Sequence, residues 1–335
     1  LLNNILDEPE WATKRYFAPL VPDQVFNSNT TTAILRKSAR MVNGGRQLYL
    51  PSLYARTQGG GWISKAGGYS APTTEQFGAG RLNWKILQEP VVFLVADLLE
   101  NSGSETQRFD IVKQKNMASA RTMGDDFGNA LWSLDYTNSD AIDSLDRAIS
   151  NQTATGNETG YGTPSYAEIT RAATGDTAVW NANVDDATTS LTTGALHDMW
   201  NDCSEGTDQP TMLASNNKAQ RLYYEQLTPI QRQGTEVKVG RGGFRALMFN
   251  DAPWIIDSHI ASADRGVQGL GSSLEYIYFL NTNFIEIMAH PEAFFAFMGV
   301  KEPIDQWSSI GRFFFMGNVA CLAPRFQGKF SAITK

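Results

Sequence analysis

Near the N-terminal end, two strand-like runs are separated by a 24-residue stretch, Thr57–Gly80, with seven glycines and only two charges, Lys65 and Glu75. The first run, Arg46–Arg56, carries Leu48, Tyr49, Leu50, Leu53 and Tyr54. The second, Arg81–Lys85, alternates cleanly: Leu82, Trp84 and Ile86 share one face, and Arg81, Asn83 and Lys85 share the other. Together they predict an antiparallel hairpin with a very long connection. Structureless loops beyond about 12–15 residues are uncommon inside a compact domain. A lone two-stranded hairpin is marginal in water, and this one holds Trp62, Ile63, Tyr69 and Phe77 in its excursion. Such a segment needs a surface to lie on, and a second copy of the chain can supply it.

A long helix follows. Ser102 and Glu105 stand at capping-box spacing, and Phe109, Val112, Ala120, Met123, Phe127, Leu131 and Leu134 recur at helical intervals, interrupted by Asn116. A helix over 105–134 would be about 45 Å long at 1.5 Å per residue. Gly124 and Gly128 each cost roughly 1 kcal/mol in a helix interior, which points to close approach of another backbone there.

Elsewhere the pattern is mixed. Residues 1–44 show no sustained period and read as an extended arm with at most one short helix. After Asn138, helices are expected at Asp140–Ser150, at Asp186–Glu205 stopped by Gly206, and from Ser215 or Asn216 to Pro229. Strands are expected at Thr211–Ala214, Phe244–Phe249, Trp254–Asp257, Tyr276–Leu280, Phe284–Met288, Phe294–Met298, Arg312–Leu322 and Phe330–Thr334.

The 335 residues correspond to roughly two domains at about 150 each. With 28 basic and 35 acidic residues the net charge is −7, which excludes a strongly basic nucleic-acid binder. Residues 135–210 hold 13 acids against Arg147 and Arg171, whereas the last 25 residues carry Arg312, Arg325, Lys329 and Lys335 and no acid. Segments of opposite charge favour contacts between copies as readily as within one. The apolar runs Val91–Ala96 and Phe313–Ala323 are too short to span a bilayer, and the first ten residues lack the basic and apolar regions of a signal peptide. Cys203 and Cys321 read as free thiols, and the sequons at Asn29, Asn151 and Asn157 as chance matches.

Chemistry-bearing patterns are absent from the sequence. His197, His259 and His290 lie far apart with no HExxH, and Gly240–Gly243 and Gly266–Gly271 match neither the dinucleotide nor the P-loop fingerprint. Both glycine strings read as turns. No enzyme activity and no cofactor are expected.

Three groups of residues carry a family resemblance. The first runs from Gly44-Gly45-Arg46 through Leu50, the glycine-rich excursion, Phe77, Leu82-Asn83-Trp84-Lys85, Glu89–Leu99 and Asn101-Ser102-Gly103 into the long helix. The second is Phe244–Pro253 followed by Tyr278-Phe279-Leu280-Asn281-Thr282. The third is Gly317-Asn318-Val319-Ala320-Cys321 with Pro324-Arg325 and Gln327-Gly328. From about residue 44 onward the chain resembles the major capsid proteins of tailed bacteriophages, which have the Hong Kong 97 type fold.

That resemblance implies an α+β fold with an N-terminal arm (1–44), an E-loop hairpin (45–90) and a P-domain with a spine helix at about 104–134 (91–137). It further implies a mixed α/β A-domain (138–290), P-domain strands (291–320) and a return to the A-domain (321–335). Implied contacts between copies are Leu48, Leu50, Tyr54, Trp62, Lys65, Tyr69, Phe77 and Trp84 in the E-loop, and Arg108, Lys113, Arg121, Gly124 and Gly128 on the spine helix. Arg241, Arg265 and Gln268 are candidates for loops at the capsomer axis.

The implied role is a homo-oligomer of pentameric and hexameric capsomers, forming an icosahedral shell around double-stranded DNA without sequence-specific binding or a membrane. Portal and scaffolding proteins are implied partners, with a decoration protein as an additional one. The implied location is the virion capsid, after assembly in the host cytoplasm. Lys65 invites comparison with relatives that crosslink through an E-loop lysine, but no matching context for an asparagine or activating acid stands in the sequence. The alternatives are an encapsulin-like compartment shell and, from another class, a soluble α/β binding module.

Overall fold

A computed structural model describes residues 29–55, 62–65, 67–68, 75–100, 111–134, 138–151, 165–172, 178–227, 236–237, 246–260, 274–301 and 307–334. In chain order the first elements are α1 (Thr30–Leu35), β1 (Arg40–Met41), β2 (Leu48–Leu53), β3 (Phe77–Leu82), β4 (Lys85–Leu94), α2 (Val95–Glu100) and α3 (Ile111–Leu131). Then come α4 (Leu145–Ala148), β5 (Ser165–Tyr166), β6 (Ile169–Thr170), β7 (Asn183–Asp185), α5 (Thr193–Asp202), β8 (Met212–Ser215) and α6 (Asn217–Gln226). The remaining strands are β9 (Glu236–Val237), β10 (Ala246–Phe249), β11 (Ala252–Ile256), β12 (Glu275–Leu280), β13 (Ile285–Ala289), β14 (Ala296–Lys301), β15 (Ser308–Cys321) and β16 (Gly328–Ile333).

The chain divides into two units. Among the described residues the smaller comprises 89–100, 111–122, 297–301 and 307–313, and the larger comprises the rest. The larger unit is built on a seven-stranded mixed sheet in the order β7-β16-β12-β8-β11-β10-β9. β8 and β11 run parallel, as do β16 and β7, and the other neighbours are antiparallel. β8, β12 and β16 are buried along their whole lengths, so both faces of the sheet centre are covered. On one face Leu196, Met199, Trp200 and Cys203 of the α5 segment and Ala219 and Tyr223 of α6 pack with Leu213, Trp254, Ile277, Phe279 and Phe330. Opposite them, Tyr278 lies against Trp132 with ring centroids 4.5 Å apart. The Tyr278 hydroxyl donates to Asp146 Oδ1 at 2.7 Å, and Lys329 Nζ donates to the same oxygen at 2.9 Å. A buried ammonium on a sheet strand needs such a partner, because an isolated ion is costly to take out of water.

Local chemistry sets the helix starts. Thr192 accepts from Ala195 N, Asn216 from Ala219 N, Ser144 from Arg147 N and Asn29 from Thr32 N, so these four helices each begin at a side chain that satisfies an otherwise orphaned donor. Several expected boundaries shorten for this reason. The helix expected at Asp186–Glu205 begins only after Thr192, because Asp185 accepts from Ala187 N and Thr188 N and holds that stretch in a turn. The helix expected at Asp140–Ser150 contracts to α4, because Asp143 N donates to Asn318 Oδ1 instead of entering a helix. The long helix is described from Ile111 to Leu131; its expected capping box at Ser102 and Glu105 lies outside the described residues.

The expected strand face of Leu82, Trp84 and Ile86 is broken. β3 ends at Leu82 and β4 begins at Lys85, so Leu82 is buried, Trp84 half-buried and Ile86 62% exposed. Asn318 Nδ2 donates to Asn83 O at 3.0 Å, and Trp84 Nε1 donates to Gly45 O at 2.8 Å; these bonds occupy the break.

The end of the stretch expected as an arm carries a short helix, as the sequence allowed, and that helix is buried. Residues 29–44 belong to the larger unit. Thr30, Thr31, Thr32, Ile34 and Leu35 are buried there, and β1 pairs parallel to β13. The aperiodic sequence hides this because a six-residue helix buried on most of its surface has no amphipathic pattern to show.

Beside β1 and β13, Gly317 of β15 faces the Met288 carbonyl oxygen and the Phe315 ring so closely that a Cβ would collide with both. The Gly317→Ala variant is therefore expected to lose ~1–3 kcal/mol of stability, read as a lower midpoint in urea, because the obstruction includes backbone. An unchanged midpoint would show that β15 can shift locally at no cost.

Candidate intersubunit surface

The hairpin pairs Leu48 with Leu82, Leu50 with Gly80 and Leu53 with Phe77. One face carries Leu48, Leu50, Gly80 and Leu82, all buried within the chain. Its base rests on the β5–β6 turn: Arg81 N donates to Ala167 O at 2.8 Å, and a Cβ on Gly80 would stand 2.8 Å from that of Ala167. Trp180 lies beside the same glycine, which explains why a residue without a side chain stands there.

The other face carries Tyr49, Pro51, Leu53, Phe77, Ala79 and Arg81, all exposed. Leu53 is 62% and Phe77 78% exposed, and Trp62 in the excursion is fully open at 104%. Arg81 is the charged residue on this face; its guanidinium lies 6.0 Å from the Tyr49 ring and 4.0 Å from Glu168. Ordinary hairpins alternate between an apolar covered face and a polar wet one. This hairpin is apolar on both faces, and the described residues cover only one.

The sequence-derived contact residues therefore separate. Trp62, Lys65 and Phe77 are exposed, while Leu48 and Leu50 are 2% and 0% exposed and cannot touch a second copy. That is a correction: alternation within a strand identifies its two faces but not which one the same chain covers. Trp84 is half-buried and tied to its own chain by a bond to Gly45 and an edge-on contact with His290. Tyr54 packs against Gly78. On the long helix Lys113 and Arg121 are exposed. Gly128 is buried against Asn29 and His259 side chains, not against another backbone, and Gly124 has nothing within 4 Å of where its Cβ would be. Tyr69, Arg108, Arg241, Arg265 and Gln268 lie outside the described residues.

The smaller unit holds a second apolar surface that the sequence reading missed. Along β4, Val91 and Phe93 are buried whereas Val92 and Leu94 are 44% and 51% exposed. Lys115 of α3 lies over the Phe93 ring at 5.9 Å and donates to Val92 O, so the helix covers the Val91 and Phe93 side. Phe297, Met298 and Trp307 are also exposed. The missed signal was an apolar residue at nearly every position of Val91–Ala96, which marks two apolar faces and hence two things to pack on.

Some other charges are paired inside the chain. Arg325 pairs with Glu205 and Lys329 with Asp146, so for two of the four C-terminal bases, which could serve contacts within a copy as readily as between copies, the partner is within the chain. Cys203 and Cys321 are buried, and burial pushes both thiols up to about 12, so neither is a thiolate nucleophile at neutral pH. His197 lies against Phe249, and His290 caps the turn at Pro291. Among the described residues no group of three or more His, Cys, Asp or Glu could hold a metal ion, and no helix is long and apolar enough to cross a membrane.

No family model and no curated protein matches the chain. Solved structures do. The cyanophage A-1(L) capsid protein matches with a TM-score of 0.66 at 13% identity, covering 100% of both chains. The capsid of the native GTA particle matches at 0.65 and 12% identity, covering 99% of each. The fold is that of a phage capsid subunit. The SrpI encapsulin of Synechococcus elongatus is similar at a lower score, 0.55 at 9% identity, covering 97% of this chain and 94% of that one. In this capsid fold the covered hairpin base and the central sheet form the subunit's interior. The exposed hairpin face, Trp62, and Val92, Leu94 and Met298 of the smaller unit are apolar surface that the described residues leave open.

Proposed function

We propose that this chain is a major capsid protein that assembles into an icosahedral shell enclosing packaged double-stranded DNA. The observation that carries the reading is the hairpin with two apolar faces and one cover. Burying a large apolar side chain contributes ~1.5–3 kcal/mol, and Tyr49, Leu53, Trp62, Ile63 and Phe77 forgo that in an isolated subunit. Each copy thus offers a strong contact that only association can complete. The hairpin then acts as the E-loop and α3 as the spine helix, with Trp62, Lys65, Phe77, Lys113, Arg121 and Gly124 facing neighbours. Arg241, Arg265 and Gln268 remain candidates for the capsomer axis.

The net charge of −7 fits an enclosure. Basic clusters would bind phosphates by counterion release and hold DNA against the wall. Pentameric and hexameric capsomers, a portal, a scaffold and a decoration protein are the partners this role involves. Assembly would take place in the host cytoplasm, and the role needs no cofactor or catalytic site.

Electron microscopy of the full-length chain, expressed alone and with a scaffolding protein, tests the proposal. Closed shells or capsomers are expected. A monomer that persists at high concentration under both conditions would sink it. An encapsulin-like shell is the second reading, favoured by the near-full-length likeness to SrpI. Shell contents separate the two, since co-purified protein cargo supports the encapsulin and packaged DNA the capsid.

A further inference from the structure

Helix α1 has six residues, too few to be stable unaided, so its position depends on what grips it. The grip is a buried carboxylate. Asp257 Oδ2 accepts from Thr31 N at 3.2 Å and from Trp132 Nε1 at 3.2 Å. Asp257 Oδ1 accepts from His259 N at 3.0 Å and stands 3.0 Å from His259 Nδ1. The other ring nitrogen, Nε2, lies 2.6 Å from Asp125 Oδ1 on α3. The imidazole is therefore bracketed by two carboxylate oxygens, and its side chain is only 2% exposed.

An ionised carboxylate only accepts hydrogen bonds, so both ring nitrogens must carry hydrogen to satisfy this geometry. Only the imidazolium does; a neutral ring has one donor and would turn a lone pair toward an acceptor. Among the described residues Asp125 and Asp257 are the charged groups that act on the ring, while α1 presents Thr31 and its cap Asn29, and the α3 side adds the Trp132 indole. We propose that Asp125, His259 and Asp257 form a proton-operated clamp that fixes α1 to α3 and to the end of β11 while His259 is charged and loosens α1 when it is not. This clamp stands independently of the capsid reading.

The titration supports the same geometry. Burial lowers the His259 pKa, but hydrogen bonds and attraction from Asp257 and Asp125 outweigh it and hold the group above its ordinary value. Burial raises Asp257, and bonds from His259 and Thr31 outweigh it and hold that carboxyl below 3.8. The His259 contribution is therefore complete below an ordinary histidine pKa of about 6.5 and is lost as pH rises through the higher folded value. The Asp257 contribution is present above 3.8 and is lost as pH falls through its lower folded value. The clamp is closed between these limits.

The test uses the full-length chain. Histidine C2 hydrogen–deuterium exchange by mass spectrometry reads each of the three histidines in a separate peptide, in subunits or in larger assemblies. The His259 midpoint is expected above about 6.5, and the Asp125→Asn variant is expected to lower it. Backbone exchange over 29–38, corrected for the intrinsic effect of pH, should lose protection as pH rises through that midpoint in wild type and show no such step in His259→Gln. A His259 midpoint at or below the ordinary value, or protection of 29–38 that does not change across it, overturns the clamp. Because the histidine readout needs only the wild-type protein, a variant that fails to fold leaves the decision intact.

Discussion

Replacing Leu53, Trp62 and Phe77 together by serine is expected to leave a folded subunit that no longer forms shells. All three side chains stand in water within the subunit, so each change should move stability by no more than about 0.5 kcal/mol. In an assembled contact the same residues would each forfeit ~1.5–3 kcal/mol, together weakening it about a thousandfold or more. Association of large proteins must first overcome lost translational and rotational freedom, so a loss of this size decides between assembly and dispersal. Circular dichroism and thermal melting report the fold, and electron microscopy with size-exclusion chromatography reports assembly. Shells at wild-type concentration would show that another surface drives association. Loss of folding would place these side chains in a core.

The largest effect on the subunit itself is expected at Trp254. The side chain is fully buried on β11, between β8 and β10, and stacks on Tyr223 of α6 with ring centroids 4.9 Å apart. Its Nε1 donates to Ser215 Oγ at 2.6 Å. Trp254→Ala opens a large cavity beneath α6 and is expected to cost ~3–5 kcal/mol, a substantial part of the 5–15 kcal/mol that holds a typical domain. Trp254→Phe keeps a ring against Tyr223 and removes the bond that Ser215 Oγ accepts, while the hydroxyl keeps its own donation to Asn216 O, so ~0.5–1.5 kcal/mol is expected for the lost bond. Urea denaturation orders the two variants. A Trp254→Ala loss below about 1 kcal/mol would mean that the α6 face can collapse onto the sheet.

Much of the sheet was legible because its strands are short apolar runs between turn residues. Tyr276–Leu280, Phe284–Met288 and Phe330–Thr334 are each observed within a residue or two of their expected bounds. Asn216 could be read as a cap because its side chain competes for local backbone donors, an interaction confined to three residues. Boundaries failed where a distant partner intervened: Asn318 takes Asp143 N from across the chain, and no local pattern encodes it. The bracketing of His259 was likewise invisible, since Asp125 is 134 positions away.

By itself the sequence determined the kind of elements, their order and the presence of a hairpin too long and too apolar to stand alone. Those properties follow from local spacing, from turn residues and from the count of apolar side chains that a loop cannot cover. Only the tertiary structure decided which hairpin face the subunit covers, that β4 also has an uncovered apolar face, and that α1 is gripped by a charged cluster. Such outcomes depend on which remote surface arrives to exclude water. For Leu50 and Phe77, equally apolar on neighbouring strands, the Ala167 turn made the difference, closing over one face and leaving the other open.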